Sequence, residues 1–276
     1  MGLLAVPNEL TLLIGECLSI RDLSHFLSTC HQLNSALSPL LYQRGNAVDG
    51  QTPLHWAALH GNKDLVELAI SRGAEIDKPN RKRLYFTALH LAAAYDHPDV
   101  IRVLIKKGAT TSAKDKHGNT PLHLAANRTN RQAISALLEH RAADMTCLNN
   151  NGDTPVHCSV ARRFQRDLTC LPLFIDAGFD LNTRGHHGNT ILHFAASFFS
   201  PDVVRYLLRQ ERVGIPINAR NCFGRTALDD TQNPNSLAWG TTEHPEVKRL
   251  LIAATKQVEG GEAHTCLDGC YHTFSL

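Results

Sequence analysis

The chain has 276 residues, of which 43% are hydrophobic and 20% are charged, a composition typical of globular proteins. Its formal net charge of +2 provides no strong field, so neither nucleic acid nor a membrane is expected as the main partner. No apolar run approaches the roughly 20 residues that cross a bilayer. The eight cysteines are dispersed along predicted helices, which favours reduced thiols and a cytoplasmic or nuclear location.

Residues 3–44 predict three short amphipathic helices. Apolar residues recur at positions 10, 14 and 18, at 23, 26, 27 and 30, and at 33, 37, 40 and 41. Pro7 marks a helix start, and Asp22 favours the N-terminal end of the second helix. A segment of this size rarely folds alone, so its apolar faces need burial. A second protein could cover them, or they could cap the rest of the chain.

The order of residues in this segment resembles the F-box motif, in Val6-Pro7, Glu9-Leu10, Asp22-Leu23 and Cys30. The resemblance implies that the segment docks the Skp-family adaptor of a cullin–RING ubiquitin ligase. The adaptor-binding residues that it implies are Pro7, Glu9, Leu10, Ile14, Leu18, Ile20, Leu23 and Leu33. A cap needs only one apolar face, and three helices exceed that need, so the adaptor interpretation is favoured over the cap.

A four-residue signature, Thr-x-Leu/Val-His, recurs through the rest of the chain. Its threonines are Thr52, Thr87, Thr120, Thr154 and Thr190, and a sixth copy that begins at Thr226 ends in Asp229. The intervals between these threonines are 35, 33, 34, 36 and 36 residues. Glycine lies two positions upstream in five of the six copies, and Tyr85 replaces it in the second. Six copies in register indicate a repeat architecture.

Each repeat predicts a pair of helices. The threonine suits an N-cap, and proline follows it in three copies, as at Pro53. Small residues such as Ala57-Ala58 permit close approach of the first helices, and an apolar stripe marks a second helix about ten residues later. Gly73, Gly108 and Gly178 suit the left-handed residue that ends a helix.

These units resemble ankyrin repeats over residues 45–256. The resemblance implies an all-α fold, an ankyrin-repeat solenoid of about six repeats preceded by the small three-helix F-box-like module. Repeat six carries an insertion around residues 232–242 and is interpreted as the terminal cap. Residues 257–276 are expected to form a flexible tail.

The ankyrin resemblance also implies where a client protein binds, on the first helices and the loop tips. The first-helix candidates are Leu59, His60, Tyr95, Asn127, Arg128, Arg162 and Phe198, and the loop-tip candidates are Arg83, His117, Asn151, His187 and Phe223. Tyr95, Arg128, Arg162 and Phe198 form an aromatic and basic stripe, which favours acidic or aromatic clients. In the alternative, Phe198 simply packs beneath a neighbouring loop.

Catalytic and metal chemistry is not expected. The five signature histidines lie on separate repeats, and the resemblance gives them a structural role in the turn. The sequence has no phosphate-binding glycine loop, nucleophile elbow or His-Glu-x-x-His motif, so no catalytic residue and no cofactor are predicted. Cys266 and Cys270 lie between His264 and His272 at a spacing that zinc accepts, but a flexible tail with incidental cysteines is favoured, without metal.

The sequence therefore predicts a protein-binding adaptor rather than an enzyme. In the favoured interpretation it is the substrate receptor of an SCF-type ubiquitin ligase, in which residues 3–44 dock the adaptor and the repeats bind a client. In the alternative it is an ankyrin scaffold or inhibitor whose N-terminal helices only cap the stack.

Overall fold

The computed structural model describes residues 52–80, 84–139, 143–160, 168–198, 200–210, 214–231 and 245–260. The predicted F-box-like module at residues 3–44 lies outside these residues, as do all eight of its predicted adaptor-binding positions. Arg83, Arg162, the insertion of repeat six and the tail cysteines also lie outside them. Those predictions stay predictions.

Each repeat consists of a short inner helix followed by an outer helix. The inner helices are α1 (Pro53–Leu59), α3 (Ala88–Ala94), α5 (Pro121–Asn127), α7 (Pro155–Val160), α9 (Ile191–Ser197) and α11 (Ala227–Asp230). The outer helices are α2 (Lys63–Ser71), α4 (Pro98–Lys106), α6 (Arg131–Leu138), α8 (Leu171–Asp176), α10 (Pro201–Leu208) and α12 (Pro245–Gly260). A single 3₁₀ turn covers His186–Gly188. The described residues contain no β-strand, so the all-α prediction is confirmed for them.

The inner helices stack in series from α1 to α11, and each packs against the outer helix of its own repeat. Alanines make this close packing possible, because Ala57, Ala92 and Ala125 are fully buried where neighbouring inner helices meet. The third residue of the signature is buried in the core in the first five repeats, as Leu54 and Leu89 are, and Leu228 of the sixth is partly buried against it. One continuous apolar core therefore runs through the described repeats.

Tight turns join the helices within and between repeats. The outer helices α2, α4 and α8 are followed by Gly73, Gly108 and Gly178 with φ between +86° and +92°, as predicted. The loop between repeats takes a left-handed residue two positions before the threonine, such as Gly118 at +73°. Tyr85 adopts φ +60° at the same position, although a side chain is disfavoured there.

Two features of the stack differ from expectation. Helix α12 extends to Gly260, so the predicted boundary between the repeats and the tail at residue 256 falls inside a helix. The outer layer is also uneven. Helices α2, α4 and α6 pack on one another in turn, as α10 packs on α12, but α8 has only slight contact with α6 or α10.

Candidate protein-binding site

The signature histidines connect successive repeats. In the second repeat, Thr87 donates its backbone N–H to Nδ1 of His90 over 3.2 Å, and the Thr87 hydroxyl lies 2.9 Å from the same nitrogen. Because Nδ1 accepts the N–H, the ring proton resides on Nε2. Nε2 then donates to the carbonyl of Asn119 over 3.0 Å, in the loop that precedes the next repeat. His90 thus caps its own helix and holds the following loop.

The same pair of bonds recurs in three other repeats. The rings of His55, His123 and His193 donate from Nε2 over 3.0 Å to the carbonyls of Phe86, Asp153 and Arg225 respectively. Burial lowers the pKa of each of these imidazoles, and it lowers that of His55 to about 4. A neutral ring is required because protonation at Nδ1 would remove an acceptor from the threonine. The structure therefore agrees with the predicted structural role of these histidines.

The fourth signature histidine departs from this pattern. His157 is fully buried and close to the Thr154 hydroxyl at 2.7 Å, but its Nε2 has no hydrogen-bond partner within the described residues. Burial lowers its pKa to about 4. The Asn189 backbone, which occupies the place of the usual acceptor, opposes that shift of the pKa but forms no hydrogen bond with Nε2. The connection from repeat four to repeat five lacks this bond.

A second kind of bond, between the side-chain amides of successive loops, is also missing between repeats four and five. Asn149 donates from Nδ2 to Oδ1 of Asn119 in the preceding loop, and Asn221 donates in the same way to Asn189, each over 3.0 Å. Gly185 occupies the equivalent position in the fifth repeat and has no side chain to contribute. The two loops are still joined by the His186 N–H, which donates to Oδ1 of Asp153 over 3.3 Å, but the amide bond between side chains is missing.

Two predicted client-binding residues, Tyr95 and Arg128, stack on each other across repeats two and three. The Arg128 guanidinium lies 5.0 Å from the centre of the Tyr95 ring, which is 51% exposed. Nη1 of Arg128 donates to the Ala94 carbonyl over 2.8 Å, which fixes the guanidinium over the ring. Asn127 is exposed beside them. The sequence placed these residues on one stripe, and the structure brings them into contact.

The remaining described members of the first-helix set differ in accessibility. His60 is exposed and stacks on Trp56 with ring centres 4.1 Å apart, so Trp56 adds an aromatic surface that the sequence did not single out. Leu59 and Phe198 are half-buried and pack against the core. Phe198 also stacks on Phe194 one helical turn before it. Most of the Phe198 side chain is therefore packed, as the alternative prediction had it, and only part of its surface is accessible to a client.

The four loop-tip candidates that the structure describes are exposed. His117 and Asn151 lie at equivalent positions of successive loops, and the His117 carbonyl accepts the Asn150 N–H over 3.0 Å. His187 adopts φ +55°, and its ring lies 5.0 Å from that of Phe223. Phe223 is 55% exposed. The tips of repeats five and six therefore present an aromatic cluster to solvent.

Sequence reasoning missed a row of side chains six positions before the signature threonine. The row consists of Lys114, Leu148, Arg184 and Arg220. Lys114 donates to the Leu148 carbonyl over 2.8 Å, and Arg184 donates to the Arg220 carbonyl over 2.7 Å, so each cation reaches the next described loop. The repeat period contained this signal, because the four residues are in register in the sequence.

The described residues contain no group of three or more histidine, cysteine or acidic side chains that could hold a metal ion. The cysteines within them, Cys147, Cys158, Cys170 and Cys222, form no disulfide. Burial raises the pKa of Cys158 to about 12, which makes it a poor nucleophile. None of the described helices is long and apolar enough to cross a bilayer.

Family models account for most of the chain. A model described as ankyrin repeats in three copies matches residues 25–115 and 111–184, and a single ankyrin-repeat model matches residues 187–222. This chain belongs to the ankyrin-repeat family. No F-box domain is detected, so the F-box part of the prediction lacks support from these comparisons. The ankyrin match begins at residue 25, inside the segment predicted as the F-box-like module.

Several curated proteins are similar to this chain. The nuclear factor NF-kappa-B p105 subunit of Gallus gallus is 35% identical over 154 residues, which cover 53% of this chain and 15% of the relative. The human B-cell lymphoma 3 protein is 34% identical over 152 residues, which cover 52% of this chain and 30% of the relative. An intracellular phospholipase A2 of Caenorhabditis elegans is 27% identical over 69% of this chain and 18% of the relative. The aligned region thus spans less than a third of each of these relatives.

Ankyrin repeats bind protein partners, so this chain has a protein-interaction fold. Tyr95 and Arg128 at the ends of inner helices, and His187 and Phe223 at loop tips, are exposed.

Proposed function

We propose that this chain is the substrate receptor of an SCF-type cullin–RING ubiquitin ligase. The ankyrin repeats bind the client, and residues 3–44 dock the Skp-family adaptor. The chain contributes proximity and orientation, and the chemistry of ubiquitin transfer belongs to its partners. The observation that carries client binding is the Arg128 guanidinium held over the exposed Tyr95 ring, because arginine and tyrosine are both enriched among residues that dominate interface energies.

Support for the adaptor half of this proposal comes from the order of residues before the repeats. Val6-Pro7, Glu9-Leu10, Asp22-Leu23 and Cys30 follow the order of the F-box motif. The three apolar stripes of residues 3–44 also need burial, and an adaptor surface would provide it.

A second candidate function is an ankyrin scaffold or inhibitor whose N-terminal helices cap the stack. The start of the ankyrin match at residue 25 favours this candidate, because the match includes about half of the segment assigned to the adaptor. A cap would bury its apolar stripe against the first described repeat, where α1 has no preceding inner helix among the described residues.

Two point variants of the full chain distinguish these functions. Leu23→Glu places a charge on the apolar stripe of the second predicted helix, and Ser28→Glu places the same charge on the opposite side of that helix. We expect the purified Skp-family adaptor to bind the full chain and Ser28→Glu but not Leu23→Glu. A truncated chain that starts at residue 45 should lose the adaptor as well.

Thermal unfolding of the same variants provides the second measurement. If residues 3–44 serve the adaptor, Leu23→Glu should leave the melting temperature of the repeats unchanged. A cap would instead make Leu23→Glu lower that temperature. Failure of the full chain to bind the adaptor, or retention of the adaptor by the truncated chain, would reject the ligase proposal and leave the scaffold.

A further inference from the structure

Two arginines of the outer helices are neutralised by carboxylates, whereas Arg131 on α6 donates to the Thr169 carbonyl. Arg102 on α4 donates to Glu139 of the next repeat from Nε and Nη2, over 2.9 and 2.8 Å, and to Asp99 from Nη1 over 3.1 Å. Arg205 on α10 repeats the arrangement, with Asp202 at 3.0 Å and with Glu246 of α12. These ion pairs cancel charge on the outer side of the stack.

The loop row has a different kind of partner. Lys114, Arg184 and Arg220 are exposed, and their hydrogen bonds go to backbone carbonyls. Arg184 donates from Nη1 to the carbonyls of Gly188 and Arg220, and Arg220 donates to that of Gly224. A carbonyl orients a cation but leaves its charge in place. Arg225 is an exception in the loops, because it pairs with Asp230 at 3.0 Å.

Arg128 on the inner helices has the same kind of environment. One N–H is taken by the Ala94 carbonyl and one face by the Tyr95 ring, and it has no carboxylate partner among the described residues. The other N–H groups on the edge of its guanidinium remain available. A planar guanidinium that is already oriented suits two parallel hydrogen bonds to a carboxylate.

We propose that an acidic linear segment of the client protein binds the loop row of Lys114, Leu148, Arg184 and Arg220 and, on the inner helices, Arg128 with Tyr95. Among the described residues no carboxylate forms an ion pair with these four cations, although Asp229 is close enough for Arg220 to stabilise its charge, whereas the arginines of α4 and α10 are paired with acids. Acidic side chains of a partner therefore complement this surface. Leu148 is 44% exposed in the same row, so the segment also carries an apolar side chain. This inference rests on client binding by the repeats and is independent of the adaptor.

Nucleic acid is the other polyanion that such a surface could attract. A peptide is favoured, because Leu148 interrupts the row of cations where a phosphate backbone would need a further positive charge. The formal net charge of +2 is also small for a nucleic-acid-binding protein.

Selection from a random library of phage-displayed linear peptides on the immobilised full chain tests this inference. We expect the selected peptides to be enriched in Asp and Glu, with an apolar residue among them. The tightest one is then synthesised both as selected and with Asn and Gln in place of its acids. The neutral version should bind about tenfold more weakly or worse, and added salt should weaken the acidic version.

Variants of the full chain locate the binding surface. Arg128→Gln and the double variant Arg184→Gln/Arg220→Gln should each weaken the acidic peptide by roughly tenfold. Arg128→Lys should recover only part of the affinity, because an ammonium group cannot form the paired bonds. Lys107→Gln, which removes an equal charge at the exposed end of α4, is the matched control and should bind as the unmodified chain does.

Several outcomes would overturn the inference. In the selection, these are peptides without acidic enrichment or no selected peptide at all. Among the variants, they are an unchanged affinity of Arg128→Gln with a preserved melting temperature, or an equal loss of affinity in Lys107→Gln. Tighter binding of single-stranded oligothymidine than of the acidic peptide would also overturn it. The adaptor pull-down does not involve these residues, so its result separates failure of this inference from failure of the ligase proposal.

Discussion

His90 donates from Nε2 to the carbonyl oxygen of Asn119, 29 residues further along the chain, over 3.0 Å. Through its Nδ1 the same ring accepts the N–H of Thr87. A single buried side chain therefore stabilises both a helix start and the contact between two repeats. Since four described histidines act in this way, the stability of the stack depends on their remaining neutral.

Stability should fall as the pH is lowered from about 6.5, the ordinary pKa of histidine, towards about 4. In the folded chain the pKa of each signature histidine is lowered, to about 4 for His55 and His157. Between these pH values the unfolded chain binds more protons than the folded chain, so the free energy of unfolding decreases as the pH decreases. Above the ordinary pKa the contribution is fully present.

Urea denaturation across this pH range measures the effect. Each histidine contributes at most about 1.4 kcal/mol per pH unit to the slope. His90→Gln has no titrating ring at that position and should have a shallower slope than the unmodified chain. A free energy of unfolding that is flat between the two pKa values would contradict this prediction.

Removal of His90, which bonds to the next repeat, should reduce the free energy of unfolding more than removal of His157, which does not. His90→Ala leaves the Thr87 N–H and the Asn119 carbonyl without their partner, so we expect a loss of about 2 to 4 kcal/mol in the free energy of unfolding. His157→Ala should cost about 1 kcal/mol less, because Nε2 of His157 has no partner to lose within the described residues. Both rings are buried, which makes the pair a matched comparison by chemical denaturation. Equal losses would show that the ring bond between repeats contributes nothing.

Substitutions at the left-handed position two residues before the signature threonine should change stability in opposite directions in different repeats. Tyr85→Gly should raise the free energy of unfolding by about 0.5 to 1 kcal/mol, because a side chain at φ +60° is strained. Gly118→Ala should lower it by more than 1 kcal/mol, roughly, since the new Cβ would lie 2.8 Å from the Asn150 nitrogen as well as at positive φ. Thermal unfolding checks both changes. Destabilisation by Tyr85→Gly would instead assign the Tyr85 side chain, which is 44% exposed, a stabilising contact.

Native-state hydrogen exchange should separate the stack into two cooperative units. Three observations place the division between repeats four and five: the missing bond of His157, the missing side chain of Gly185 and the slight packing of α8 on its neighbours. Since each repeat of a solenoid is stabilised by its neighbours, one weak interface reduces cooperativity there. Amides of α3 to α6 should exchange with a different opening free energy from those of α9 and α10. A single opening free energy for all of them would contradict this division.

Local chemistry made the helix starts predictable from the sequence. Thr52 with Pro53, and the glycines that follow α2 and α4, each act within a few residues, so the pattern alone indicated their conformation. Contacts between repeats could not be predicted from such short patterns. The stack of Arg128 on Tyr95 and the bond from His90 to Asn119 depend on how two repeats sit together, which the spacing of threonines does not determine.

The candidate site was predicted less completely than the fold. Exposure of Tyr95 and Phe223 followed from their places in the repeat, but Phe198 is half-buried because Phe194 lies one turn before it on the same side of α9. The cations of the loop row were overlooked although they are in register, because charged loop residues are ordinarily only solvated. Whether Arg83 and Arg162 join the site stays a prediction, since both lie outside the described residues.

In the sixth signature, Asp229 accepts the backbone N–H of Thr226 over 2.9 Å, as the histidines do in the other repeats. That bond lowers the pKa of the Asp229 carboxyl. The carboxylate therefore still accepts the Thr226 N–H at an acidic pH at which an imidazole would be protonated. An ionised carboxylate has no proton, however, and cannot donate a hydrogen bond to a carbonyl of a following loop. Each of these histidine bonds therefore points the same way, from one repeat to the loop before the next, and the series is interrupted at His157. A further unit could not extend it past Asp229 by the same means.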